Sequence, residues 1–280
     1  MKSLNQYINE KLKVSKNQNQ YNYYPKTKEE LQDLIKQLIK ERGNEGDFND
    51  IDTSNITDMS ELFYNMEDFN GDISGWDVSN VTNMIYMFYG CHIFEGKGLE
   101  NWDVSNVTNM QYMFSLCKKF EGKCLENWNA SNVTNMIDMF DSCYNLNCNL
   151  SNWHVSNVTN MGFMFDGCKS FEGKGLENWN VSNVINMYAM FESCEKLDCD
   201  LSNWNVSNVI DMESTFRNCK NLNCDLSNWN VSNVTNMKHM FDSCEKLDCN
   251  LSKWDVSNLT NIKHMFDDCT IKEKYKPKFR

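Results

Sequence analysis

The sequence predicts a repeat solenoid of short parallel β-strands and 3₁₀ or short helical turns, closed at its N-terminus by an α-helical cap. Three observations carry this. One motif returns from Trp76 to Trp254 at steps of 25 or 26 residues, and a fixed period in the twenties marks stacked repeats that cannot bury their apolar faces alone. The only prolines, Pro25 and Pro277, stand outside the repeating region. An amphipathic helical pattern immediately precedes the first repeat.

Residues 1–14 read as a short amphipathic helix. Ser3 and Gln6 make a capping box, and Leu4, Tyr7, Ile8 and Leu12 share one side. A polar Asn/Gln-rich stretch to about Asn22 has the composition of a tether. Residues 1–22 are therefore expected to be a short helix on a flexible linker, either a frayed terminus or a docking helix that fastens the protein to a larger assembly.

Residues 23–45 hold the predicted cap. Thr27 and Glu30 form a second capping box, Leu31, Leu34, Ile35, Leu38 and Ile39 make a 3.6-period stripe, and Gly43 ends the helix. A stack of repeats exposes a raw apolar end unless such an element covers it.

Residues 46–269 make nine coils. Trp76 is followed by Trp102, Trp128, Trp153, Trp179, Trp204, Trp229 and Trp254, and Ile51 takes the Trp place in a degenerate first copy. Ser-Asn recurs from Ser54-Asn55 to Ser257-Asn258, and Phe from Phe63 to Phe266. Trp, Val, Met, Phe and Cys columns are expected to fill the core, with the Asn column bonding along the axis to satisfy turn backbone. L-x-x-W-x-V reads as the strand-forming side, Ser-Asn as the corner, and M-x-x-M-F as a tight helical or 3₁₀ turn. Nine coils at strand spacing would make a rod of about 40 Å. The coils reading EGKGLEN or EGKCLEN are one residue longer there than those reading NCNLSN or DCDLSN, so that segment is expected to be a turn. Residues 270–280 form a basic C-terminal tail.

Composition narrows the function. A net charge of −12 argues against nucleic acid, whose phosphates need a basic face. No run of about 18 apolar residues suggests a membrane span, and residues 1–7 lack the apolar region of a secretion signal. An intracellular or virion-associated location is thus favoured over a cell surface. Eight of the thirteen cysteines occupy one column and five a second, which favours reduced core thiols. The repeated Cys-x₄-Cys pairs, such as Cys143 with Cys148, lack the converging ligands of a zinc site, so no metal or cofactor is expected. The Asn-x-Thr sequons read as coincidental, their Asn side chains being tied into the ladder. No catalytic constellation stands out among the four histidines. The chain is not expected to be an enzyme.

The motif W-[DN]-V-S-N-V-T-N-M-x-x-M-F-x-x-C-x-x-[FL] resembles the repeat of the BspA-like leucine-rich-repeat family, in the subgroup described for mycoplasma lipoproteins. The resemblance covers residues 51–269, and Lys26 to Phe63 is similar to the helix-plus-first-repeat opening of such proteins. It implies a right-handed leucine-rich-repeat-type solenoid serving adhesion or protein–protein contact, rather than catalysis. The expected function is a non-enzymatic protein-binding or assembly module, monomeric unless its N-terminal helix docks. The alternatives are a surface adhesin exported by an unrecognised route and a virus or phage particle component anchored by that helix. The binding face is expected where the motif varies, between its two Met positions. Ile85, Ile137 and Tyr188 stand first in that gap, and Tyr86, Tyr112, Phe163, His239 and His264 second. Outward-facing aromatics in a row mark interfaces.

Overall fold

The apolar residues of each repeat recur three apart, and the backbone follows that spacing. In a computed structural model, which describes residues 21–279, each coil is a chain of tight turns whose ends point inward. In the coil from Leu125, the N–H of Trp128 donates to Leu125 O, Val133 to Ala130 O, Met139 to Met136 O, Cys143 to Phe140 O and Leu146 to Cys143 O, at 3.0–3.3 Å. These turn ends are all buried. A turn of four residues places its first and last side chains close together, so an apolar-x-x-apolar spacing closes turns around a core.

The third residue of the M-x-x-M and F-x-x-C turns is left-handed in every coil. The first turn has Glu61, Tyr86, Tyr112, Asp138, Phe163, Ala189, Ser214, His239 and His264 there, with φ of 50–59°. The second has Gly90 and Gly167 beside Asn65, Leu116, Ser142, Ser193, Asn218, Ser243 and Asp268. This conformation costs an ordinary residue about 1–2 kcal/mol. It is offset because it aims alternate N–H groups at the next coil. Met84, Tyr86, Phe88 and Gly90 donate to the carbonyls of Asn109, Gln111, Met113 and Ser115 at 2.9–3.1 Å.

One expectation is corrected here. Most of the parallel bridges run through the Asn of T-N-M, from Asp58–Asn83 through to Asn236–Asn261, and remain isolated bridges. Two others, Tyr23–Ile51 and Asp47–Asp72, lie at the N-terminal end, the first at the Trp place of the degenerate copy. In the later coils none of the described bridges falls on W-x-V, because Trp and Val are held by the flanking L-x-x-W and V-x-x-V turns. The M-x-x-M-F segment closes as a tight turn, as expected, without becoming a helix, and it is also the main rung of the ladder, since its left-handed residues turn N–H groups along the axis.

Side chains repeat the same logic. Phe63, Phe88, Phe114, Phe140 and Phe165 stack with ring centroids 5.3–5.8 Å apart, and the Trp column stacks at 6.3–6.5 Å where its members pair. Each indole N–H is satisfied one coil back, as Trp128 Nε1 is on Leu99 O at 2.8 Å. The first-column thiols from Cys91 to Cys244 do likewise, Cys143 Sγ donating to Phe114 O at 3.0 Å. The Asn column donates to Ser carbonyls, Asn132 Nδ2 to Ser105 O at 2.7 Å. Among the described residues no buried side-chain nitrogen or oxygen lacks a partner.

Helix α1, Lys28–Arg42, starts at Thr27, whose hydroxyl accepts from Glu30 N, and ends at Gly43 with φ 79°. Leu31, Ile35 and Leu38 are fully buried within the common core. Lys28 Nζ donates to Ser60 Oγ and Gln32 Nε2 to Glu61 O, while Arg42 pairs with Asp50, so α1 lies on the first coil. The three longer coils carry 3₁₀ turns at Leu99–Asn101, Lys123–Leu125 and Leu176–Asn178, where the extra residue is absorbed. Gly98 enters the first with φ 87°, and a Cβ there would run into Ser74.

The basic tail folds back on the last coils. A 3₁₀ turn at Glu273–Tyr275 lets Tyr275 O accept from Leu251 N. Ile271 is buried, Lys272 pairs with Asp248, and Lys276 lies over the Phe266 ring. No described helix is long and apolar enough to cross a membrane. Leu4, Tyr7, Ile8 and Leu12 lie outside the described residues.

Candidate interaction surface

The left-handed turns that aim the ladder also lift side chains away from the core, one above another. Ile85, Tyr86, Tyr112, Ile137, Phe163, Tyr188 and His239 are half-buried and His264 is exposed, so all eight expected residues reach the surface. The structure brings them into two adjoining columns. Tyr86 and Tyr112 stack at 4.5 Å, His239 and His264 at 4.9 Å, and Phe163 leans on Tyr188 at 4.7 Å. Lateral packing between the rings is thus part of how the strip is held.

A third column, missed in the sequence, completes this face. It is the residue after each core Phe: Tyr64, Tyr89, Ser115, Asp141, Asp166, Glu192, Arg217, Asp242 and Asp267. It adjoins the second column because the two positions are three apart, on the shoulders of consecutive turns. Tyr64 stacks on Tyr89 at 5.0 Å and meets Tyr86 edge-on at 5.8 Å. Further along, His239 Nδ1 lies 2.9 Å from Asp242 Oδ2 and His264 Nδ1 2.6 Å from Asp267 Oδ2. The signal in sequence was the lack of a fixed residue at a fixed place, and next to the invariant Phe it is easily overlooked.

Along its length the face changes chemistry. Tyr64, Tyr86, Tyr89 and Tyr112 form an aromatic cluster in the first coils. Asp138, Asp141, Asp166 and Glu192 follow, all half-buried. Burial pushes the Asp166 carboxyl up to about 7, aided by Glu192, Asp141 and Asp138. Burial likewise takes Asp138 to about 6 and raises Asp141 and Glu192. The last coils bring mixed charge. Arg217 reaches Glu192 and Asp242 at 3.2 Å each, and Lys238 reaches Glu213 at 2.8 Å.

Most of the cysteines are buried. All thirteen are free, and burial drives the first-column thiols from Cys117 to Cys244 well above the ordinary thiol range. A thiol so held is a poor nucleophile and metal ligand. Among the described residues, no group of three or more His, Cys, Asp or Glu side chains could hold a metal ion.

Comparison with known proteins gives a family and little more. No curated protein matches the chain. Among solved structures, the crystal structure of a TLR13–ssRNA13 complex aligns over 74% of this chain at 9% identity and a TM-score of 0.17. The chain spans 47% of that protein, and a likeness so slight carries no argument. The family described as "Mycoplasma protein of unknown function, DUF285" matches three times in succession, over residues 30–123, 87–177 and 168–278. These matches run from within α1 to the folded tail, and the chain is a member of that mycoplasma-type repeat family.

Proposed function

We propose that the chain is a non-enzymatic protein-binding or assembly module built on a leucine-rich-repeat-type solenoid, and that the three-column face is its binding surface. One observation carries the reading. The backbone and core positions repeat nearly unchanged from coil to coil, whereas this face varies residue by residue while remaining half-exposed. A surface kept on a rigid, fully bonded scaffold and varied along its length suits recognition of a macromolecule longer than one coil. Tyrosine, with its large area and polar tip, is enriched in such surfaces. The net charge of −12 favours a protein partner over nucleic acid.

Affinity capture with the immobilised chain, read by mass spectrometry, tests this against two variants. Tyr86→Ser with Tyr112→Ser alters the face, and Thr108→Ala with Thr134→Ala alters the exposed Thr column. The expected result is a protein retained by the native chain and the threonine variant but lost by the tyrosine variant. Retention that ignores the tyrosines and follows the threonines would overturn the assignment of the face.

A further inference from the structure

The acidic stretch of the face borders a cation that the chain itself supplies. In the column after the core Phe, Arg217 spans its two neighbouring rungs, with Nη1 on Glu192 Oε1 and Nε on Asp242 Oδ2. One guanidinium on the intervening rung therefore links carboxylates two coils apart in this column. Glu192 and Asp242 keep only 20% and 14% of their side chains exposed around it, so the seat is partly desolvated, where a charge-assisted pair is worth most.

The preceding rungs repeat the acid without the cation. Asp141 accepts from Ser115 Oγ at 3.1 Å and Ser142 Oγ at 2.9 Å, and Asp166 follows it one coil on. Asp138, in the adjoining column, sits one turn before Asp141. The ion pairs of these columns, on Arg217, Lys238, His239 and His264, all lie beyond Asp166. Aromatic rings stand beside the acids, Tyr112 one coil before Asp138 and Phe163 one coil after it. A guanidinium seated among carboxylates and ring faces gains both ionic and cation–π attraction.

Resting on the reading of this face as a protein-binding surface, we propose that Asp141 and Asp166, flanked by Tyr112 and Phe163, receive an arginine side chain from an extended basic segment of the partner. That arginine would bring to the acids of coils four and five the positive charge that Arg217 brings to those of coils six and eight. Successive rungs lie one coil apart along the axis, so a segment running parallel to the stack would place further basic residues near Asp138 and Glu192. The tyrosine cluster would then take its apolar end.

The probe is an octa-arginine peptide, with octa-glutamine as the uncharged control, titrated against the full chain by calorimetry. Three variants accompany the native chain: Asp141→Asn with Asp166→Asn, the exposed pair Asp198→Asn with Asp200→Asn, and Asp166→Arg, which supplies the cation in cis. The first and third are expected to weaken octa-arginine binding roughly tenfold or more and the exposed pair less than about twofold, as buried and rim charges differ. Equal weakening by both asparagine pairs would reduce the effect to overall charge and sink the proposal, as would no weakening by Asp166→Arg. The Arg variant keeps the proposal decidable if the double Asn variant does not fold. Failure here with tyrosine-dependent capture intact removes the arginine seat and leaves the binding module, whereas capture that ignores the tyrosines removes the module itself.

Discussion

The core indoles, and the first-column thiols from Cys91 to Cys244, spend their hydrogen on the coil before. Trp128 shows the consequence, for its indole N–H is the donor to Leu99 O in a site only 2% exposed. Trp128→Phe keeps most of the ring area and removes one of the two hydrogen bonds that Leu99 O accepts, the other coming from Trp102 N. It should lower stability by about 0.5–1.5 kcal/mol, the net worth of one such bond, read from denaturant unfolding. The left-handed positions make the opposite case. Leu116 has φ 65° in a column where Gly90 and Gly167 also stand. Leu116→Gly exchanges the steric cost of a side chain there for glycine's extra chain entropy, and should stabilise by about 0.5–1 kcal/mol. A lowered denaturation midpoint would mean that Leu116 is held by packing rather than strained. At this scale the sequence was informative. The recurring Phe, Met and Trp positions named the core without a structure, because apolar residues at a fixed repeat place have nowhere else to go.

At the scale of elements, α1 was legible nearly to the residue. Thr27, Glu30 and Gly43 mark its ends by chemistry that is local in sequence, and its stripe states which face is buried. Ile35→Ala should cost about 2–5 kcal/mol, the range for truncating a fully buried aliphatic residue, measured as a shift in the unfolding midpoint. A smaller cost would mean that α1 rests on the first coil without being needed by it. The rungs were not legible in this way. W-x-V looks like a strand because it alternates apolar and polar residues, whereas the bridges fall at T-N-M. What decides between them is the run of left-handed residues after that Asn. Tyr, Phe and Ala at such positions carry no local signal for it.

For the molecule as a whole, the acidic stretch makes stability depend on pH. Asp166 binds its proton with a pKa of about 7 in the folded chain, against about 3.9 for a free aspartate. Between those values the folded state holds a proton that the unfolded state has released, so stability is full below pH 4 as far as this group goes and falls as pH rises towards 7. Asp166→Asn should remove that decline. The measurement is the difference in unfolding midpoint between pH 5 and pH 8, expected to be smaller in the variant than in the native chain. An equal difference would place the pH dependence elsewhere. The sequence by itself determined that this chain is built of repeats, which residues fill the core, and where the surface is free to vary, because these follow from a period and from hydrophobicity. Only the tertiary structure decided that the Phe-following column joins the face, that the basic tail folds onto the last coils, and that Arg217 is seated while Asp166 is not. Those are contacts between coils some 25 residues apart, set by backbone turns whose handedness the side chains do not announce.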